Sequence, residues 1–174
     1  MIRVVTLAEF DDEALSLVLR RLQAVYGVGV EVGRRASMPR EAYEPAVDGY
    51  DAIKILAEAE DVRAFGDDKI LFLTKSPLSL PVGPMGEGPV DGFADYGGPK
   101  AVATTEGLGD KSLPLAEGLA KRAARHVGHL FGLHHCHDAK CAMLPGWAEG
   151  FVQHPDTSLC PFCRDKVSKA FAEA

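Results

Sequence analysis

The chain contains no asparagine and only two glutamines, Gln23 and Gln153. A shortage of heat-labile amides is one reported trait of proteins from hot habitats; drift in composition produces the same deficit. Long apolar runs are also missing. No stretch approaches the ~20 apolar residues that a membrane helix needs, so no membrane partner is expected. The opening residues 1–10 hold too short an apolar run for a secretory leader and meet acids at once. Basic clusters are absent too. Nineteen Lys and Arg stand against 25 Asp and Glu, for a net charge of −6. Binding to a phosphate backbone needs clustered cations, so no nucleic acid is expected. These absences together predict a cytoplasmic protein, and in a reducing compartment four cysteines read as metal ligands before disulfides.

What is present suits a single folded domain. A chain of 174 residues can bury roughly 70% of its unfolded surface. Residues 2–8 are short, apolar and β-branched, and predict a buried strand. A helix is expected over 11–25. Asp11 and Asp12 stand at its positive dipole end, and Leu15, Val18, Leu19 and Leu22 form its stripe. Gly27 breaks the chain before a second strand at 28–32. Residues 37–48, with Pro39 and Pro45, read as loop. A helix over 50–65 and a third strand over 69–74 follow. Between 76 and 98 there are four prolines and six glycines, which predict irregular loops or edge strands. A further strand fits 102–105. The strongest helix spans 112–131, with Ser112 as cap, Pro114 in the first turn and Gly132 as stop. A short helix fits about 161–172. Strands alternating with helices, then a metal-rich end, predict an α/β (α+β) domain with a helical C-terminal subdomain. The divide falls near 132/133, giving subdomains 1–132 and 133–174.

The helix at 112–131 carries the chemistry. Residues 125–136 read R-H-V-G-H-L-F-G-L-H-H-C. The zinc-peptidase template H-E-x-x-H-x-x-G-x-x-H places three histidines around one metal and a glutamate beside it. His129, Gly132 and His135 fill the fifth, eighth and eleventh positions of that template. Arg125 stands at the first position and His126 at the second. At ~100° per residue, Arg125 lies about 40° to one side of His129 and His126 about 60° to the other. All three therefore look to one place, opposite a packed stripe of Ala116, Ala120, Ala123, Val127 and Phe131. Arg122 and Gly118 share the polar side. Gly132 allows the left-handed turn that brings His135 back to the same point.

A guanidinium has no free lone pair and stays charged, so Arg125 cannot act as a ligand. The template glutamate takes a proton from metal-bound water; His126 stands in its place as a candidate base, since imidazole titrates near neutrality. Three readings stay open. His129 and His135 form a remnant catalytic site, empty or weakly binding. Alternatively, His126 joins them in a rebuilt site, with Asp138 or Glu149 as base. The third reading is a structural histidine cluster at a helix C-terminus, where imidazolium suits the dipole.

Cys136, Cys141, Cys160 and Cys163 form C-x4-C-x18-C-x2-C. Two close pairs across a modest loop have the spacing of a closed structural zinc site. Such a site fixes a segment with little apolar content, and its binding energy counts as folding energy.

The run from His129 through Cys163 resembles the archaemetzincin family of metallopeptidases, whose signature continues the template with C-x4-C-x-M, about seventeen residues, and C-x-x-C. His129, Gly132, His135, Cys136, Cys141 and Met143 are in register, and Cys160 and Cys163 follow after residues 144–159. The resemblance implies a compact metzincin fold: a twisted mixed sheet with two helices, an active-site helix and a small lower subdomain. It implies a methionine turn at Met143 beneath the catalytic metal, one structural zinc, and a second, catalytic zinc whose ligand set is incomplete here. It also implies peptide bound as an added strand along a sheet edge, expected within 88–105. The expected function is a zinc protein of the peptidase class with hydrolysis weakened or lost. The rivals are an active metallopeptidase rebuilt on His126, and a zinc-stabilised peptide-binding module without enzymatic activity. In that last reading Arg122 and Arg125 line the groove.

Overall fold

The structure, a computed structural model, describes residues 1–59, 68–82, 86–108, 114–145 and 158–172. Its centre is a five-stranded sheet in the order β2 (Val30–Val32), β1 (Ile2–Thr6), β5 (Lys69–Thr74), β9 (Lys100–Thr104), β8 (Gly92–Ala94). The first four strands run parallel, and β8 pairs antiparallel with β9 at the outer edge. Parallel strands are covered on both faces and therefore read as continuous apolar runs; β5, with the sequence KILFLT, is one.

Alternation along these strands divides the core in two. Ile2, Val4, Leu71, Leu73, Ala101 and Ala103 face helices α1 (Asp12–Tyr26) and α3 (Leu115–Leu130). Val5, Ile70, Phe72 and Val102 face the other way, onto α2 (Ala52–Glu58). α1 begins where the Asp11 carboxylate accepts from Ala14 N and ends at Gly27, whose φ is 67°. α2 is capped by Asp51, which accepts from Ile53 N and Lys54 N. α4 (Pro161–Ala172) lies where the sequence placed it. No helix among the described residues is long and apolar enough to cross a membrane.

Several expectations need correction. The 37–48 region is not plain loop. It forms a short 3-10 turn, Arg40–Ala42, then β3 (Tyr43–Glu44), and β4 (Gly49–Asp51) follows directly. β4 takes Tyr50 from the expected helix, whose described part is only Ala52–Glu58; residues 60–67 lie outside the described residues. The proline- and glycine-rich stretch builds β6 (Leu78–Val82), β7 (Gly86–Val90) and β8; β7 and β8 are the edge strands expected there, while β6 lies inside its sheet between β4 and β7. β3, β4, β6 and β7 make a second sheet of four strands. The helix at 112–131 starts at Leu115, with Pro114 at the cap position rather than in the first turn. Ser112, its expected cap, lies outside the described residues.

The largest correction concerns α3 itself. A one-sided stripe was expected, but the helix is buried almost all round, including Lys121, Arg122, Arg125 and His126. α1 and the first sheet cover one side, while β8 and the bend before it cover the other. Ala116 and Phe131 of the expected stripe are only half-buried.

Candidate active-site cleft and thiol cluster

The last turn of α3 sets the geometry of the cleft. Leu133 N donates to Gly128 O and Gly132 N to His129 O, each at 3.0 Å. With Gly132 at φ 76°, these two bonds are the Schellman closure of a helix. The turn also orients His129. Its Nδ1 lies 2.7 Å from Leu133 O, so Nδ1–H donates to that carbonyl and Nε2 keeps the lone pair. After the turn, the His135 ring comes to a centroid distance of 5.0 Å from His129, and His126 stands 6.0 Å from it on the helix.

Arg122, Arg125, His126, His129 and His135 all line one cleft of about 510 Å³. Its other wall is the chain from Pro89 to Ala94 together with Tyr96. The expected sheet edge within 88–105 is thus β8, which borders the cleft. Tyr96 stacks on His134 at 4.6 Å, and its hydroxyl donates to Gly132 O. Gly97 N donates to His129 O at 2.9 Å. The loop after β8 is therefore pinned to the glycine turn.

Asp91, in the bend between β7 and β8, is the residue that sequence reasoning missed. Its carboxylate pairs with Arg125, lies 3.3 Å from His126 Nε2 and 3.6 Å from Arg122 Nε. Burial would raise its pKa, but the His126 hydrogen bond and the Arg125 charge outweigh that and hold it well below the usual carboxylate range. Burial lowers the pKa of His126 and His135 and takes that of His129 down to about 4; the Arg125 charge pushes each further down. All three imidazoles are accordingly neutral at pH 7. Gly92 is needed beside Asp91, because a Cβ there would lie 2.4 Å from His126 Nε2 and 2.4 Å from Val102 O. Nothing in local periodicity marks Asp91; its only signal is an Asp-Gly pair in a turn-rich stretch.

Asp138 does not line the cleft. It is exposed beside the thiols, where its Oδ1 accepts from Lys140 N at 2.9 Å and its own N–H points to Cys136 Sγ at 3.5 Å. Glu149 lies outside the described residues.

Below the helix end, Cys136, Cys141, Cys160 and Cys163 offer four sulfurs within 4.8 Å of one another. Cys136 and Cys160 Sγ are 3.8 Å apart, and Cys160 N donates to Cys141 Sγ. Burial pushes the Cys141 thiol up to about 11 and raises Cys163 as well, so as thiols these two resist ionisation. Four convergent soft donors in this arrangement fit one tetrahedral zinc ion. Among the described residues this is the one group of three or more potential ligands brought together; the histidines and Asp91 do not form such a group. Met143 is fully buried between the thiols and α3. A Cβ on Gly128 would lie 2.2 Å from its Sδ, and Met143 O accepts from Cys136 N.

A helix that ends in a glycine turn with histidines on both sides of it, above a buried methionine and beside a sheet edge, has the layout of the zinc-metallopeptidase frame, and that is the class whose fold the chain shares. Comparison with known proteins narrows it. The archaemetzincin of Methanopyrus kandleri is 33% identical over 138 residues, which cover 78% of this chain and 75% of that protein. The chain belongs to the archaemetzincin family. The crystal structure of that same relative superposes with a TM-score of 0.79 at 27% identity, covering 98% of this chain and 94% of the other. A zinc-dependent peptidase from Methanocorpusculum labreanum gives 0.77 at 22%, covering 96% and 100%. Archaemetzincin from Archaeoglobus fulgidus gives 0.73 at 22%, covering 95% and 99%. No family model matches the chain.

Proposed function

We propose that this chain is a zinc-stabilised member of the archaemetzincin family that keeps the peptide cleft and has lost the hydrolytic centre. One observation carries the reading: Arg125, at the position of the first zinc ligand, places a permanent cation on Asp91 in the floor of the cleft. Arg125 lines the same cleft as His129 and His135, so it stands in the space a catalytic zinc would occupy. A divalent ion entering there would meet a buried cation instead of a third nitrogen. At the template's glutamate position, His126 has its Nε2 turned to Asp91 and offers no carboxylate to accept a proton. His129 and His135 remain as a two-nitrogen remnant.

The four cysteines are the zinc site we assign. Cys136, Cys141, Cys160 and Cys163 would hold one ion as thiolates, and the ion would tie residues after the glycine turn to α4. Such an ion, fully ligated by sulfur, supplies folding energy and no open coordination position. Peptide would lie along β8, whose free edge faces the cleft.

Metal analysis tests the reading. The purified chain should hold one zinc ion, and no hydrolysis of a peptide library should accompany it. The double change Arg125→His with His126→Glu should raise the content towards two ions. The 6.0 Å approach of the His126 and His129 rings favours the rebuilt site as the second reading. Chelator-sensitive turnover by the unaltered chain would establish that alternative and end ours.

A further inference from the structure

The four sulfurs of the thiol cluster are not equivalent. Cys141 and Cys163 are buried, whereas Cys136 and Cys160 are partly exposed. The exposed pair lies 3.8 Å apart, sulfur to sulfur. That distance singles out no pair, since all four sulfurs lie within 4.8 Å of one another; exposure does. A sulfur bound to zinc is held as thiolate, and thiolate is the form that attacks an oxidant. An oxidant arriving from solvent therefore meets Cys136 and Cys160 first. These two also belong to different parts of the chain. Cys136 directly follows His135, which lines the cleft, and Cys160 stands immediately before α4. Every residue from 134 to 140 except Cys136 is exposed, so this segment has no apolar anchor of its own. Tyr96 stacks on His134, and Met143 O accepts from Cys136 N; the Cys136 sulfur then reaches the one at the start of α4.

We infer that Cys136 and Cys160 are a reversible oxidation site: hydrogen peroxide joins them in a disulfide, zinc is lost, and the new bond keeps the segment after His135 tied to α4. The inference rests on the four-thiolate zinc assignment and adds a regulation of that site. One exposed thiolate attacks a peroxide oxygen, the O–O bond breaks, and a sulfenic acid forms with release of hydroxide. The other thiolate displaces hydroxide from that sulfur and closes the S–S bond. The two sulfurs give up two electrons, the peroxide takes them, and two solvent protons turn both hydroxides into water. Closing the bond brings the sulfurs from 3.8 Å to about 2 Å. Cys141 and Cys163 then remain as two ligands, too few for a closed tetrahedral site. A Cys160–Cys163 bond, the alternative within one helical turn, would use a buried sulfur and leave the segment after His135 untied.

The zinc-loaded, unaltered chain tests this without any substitution. Brief substoichiometric alkylation with iodoacetamide, read by mass spectrometry, should label Cys136 and Cys160 about tenfold faster than Cys141 and Cys163. Hydrogen peroxide should release the ion to a chromogenic chelator with loss of two thiols. Peptide mapping without reduction should find Cys136 joined to Cys160. Dithiothreitol with added zinc should restore both the thiols and the metal. Amide exchange in α4 should stay slower in the oxidised chain than in reduced chain stripped of zinc by EDTA. Zinc retention under peroxide, a different disulfide, or passage straight to sulfinic acid overturns the inference. Equal labelling of the four cysteines, or equal exchange in the two zinc-free forms, does the same. A chain purified reduced and without zinc would end the four-thiolate assignment and the inference with it. Zinc release without the Cys136–Cys160 bond removes only the inference.

Discussion

Asp91→Asn isolates the contact on which the cleft depends. The substitution keeps volume and shape and removes one charge. Arg125, with a side chain 2% exposed, and Arg122, at 7%, then lose their shared anion. Breaking a fully buried pair from one side costs about 3–5 kcal/mol, chiefly because the surviving charge stays buried. Asp91 is 25% exposed, and solvent screening discounts that figure to about 2–3 kcal/mol. For a chain of this size each kcal/mol moves the melting midpoint by about 2–4 °C, so a drop of about 4–12 °C is expected by calorimetry at constant zinc content. Adding Arg125→Met to Asp91→Asn should recover about half of the loss, because one of the two buried cations is gone. A drop below about 1 °C would place the contact in the range of an exposed surface pair, and the account of Arg125 as a buried cation held by Asp91 would be wrong.

Other outcomes follow from the same geometry. Cys141→Ser should lose the zinc ion and release residues after the glycine turn, seen as faster amide exchange in α4 with little change in β1 and β5; full zinc retention would refute the four-thiol assignment. Gly128→Ala should destabilise the fold by about 1–3 kcal/mol in urea titration, since its methyl meets the buried Met143 Sδ at 2.2 Å and Tyr26 Oη at 2.9 Å; a neutral result would mean that the methionine loop is not wedged under α3. Stability should fall with acid in two stages. His126, lowered by burial, takes its proton in the unfolded chain first, so its contribution is complete above about pH 6.5 and is lost below that, with His129 and His135 acting in the same direction. Asp91, with its folded pKa depressed, stabilises fully above about pH 4 and loses that contribution as pH falls further. His126→Gln should flatten the first stage of the urea-midpoint profile; an unchanged slope between pH 7 and 5.5 rules out that share.

Legibility followed chain separation. The strands at 2–6 and 69–74 and the helices at 12–26 and 161–172 are visible as local apolar patterns because each is covered by partners that demand continuous or periodic burial. The second sheet was less visible. β3 and β4 are two and three residues long, and β6 and β7 carry prolines and glycines that read as irregular loop or edge strand. They exist because neighbouring strands supply their partners, not because of intrinsic propensity.

The sequence by itself determined the histidine frame and the presence of a guanidinium where a nitrogen ligand belongs, because these lie within one helix and one turn, where 3.6-residue periodicity and a glycine turn decide which side chains meet; the two cysteine pairs were legible from their spacing alone. Only the tertiary structure decided what that guanidinium does. Asp91 reaches Arg125 across 34 residues of chain, through the register of β8 on β9 and the packing of α3 beneath it. That burial makes the pair matter, since one carboxylate beside two cations has little consequence in water and a large one where water is excluded.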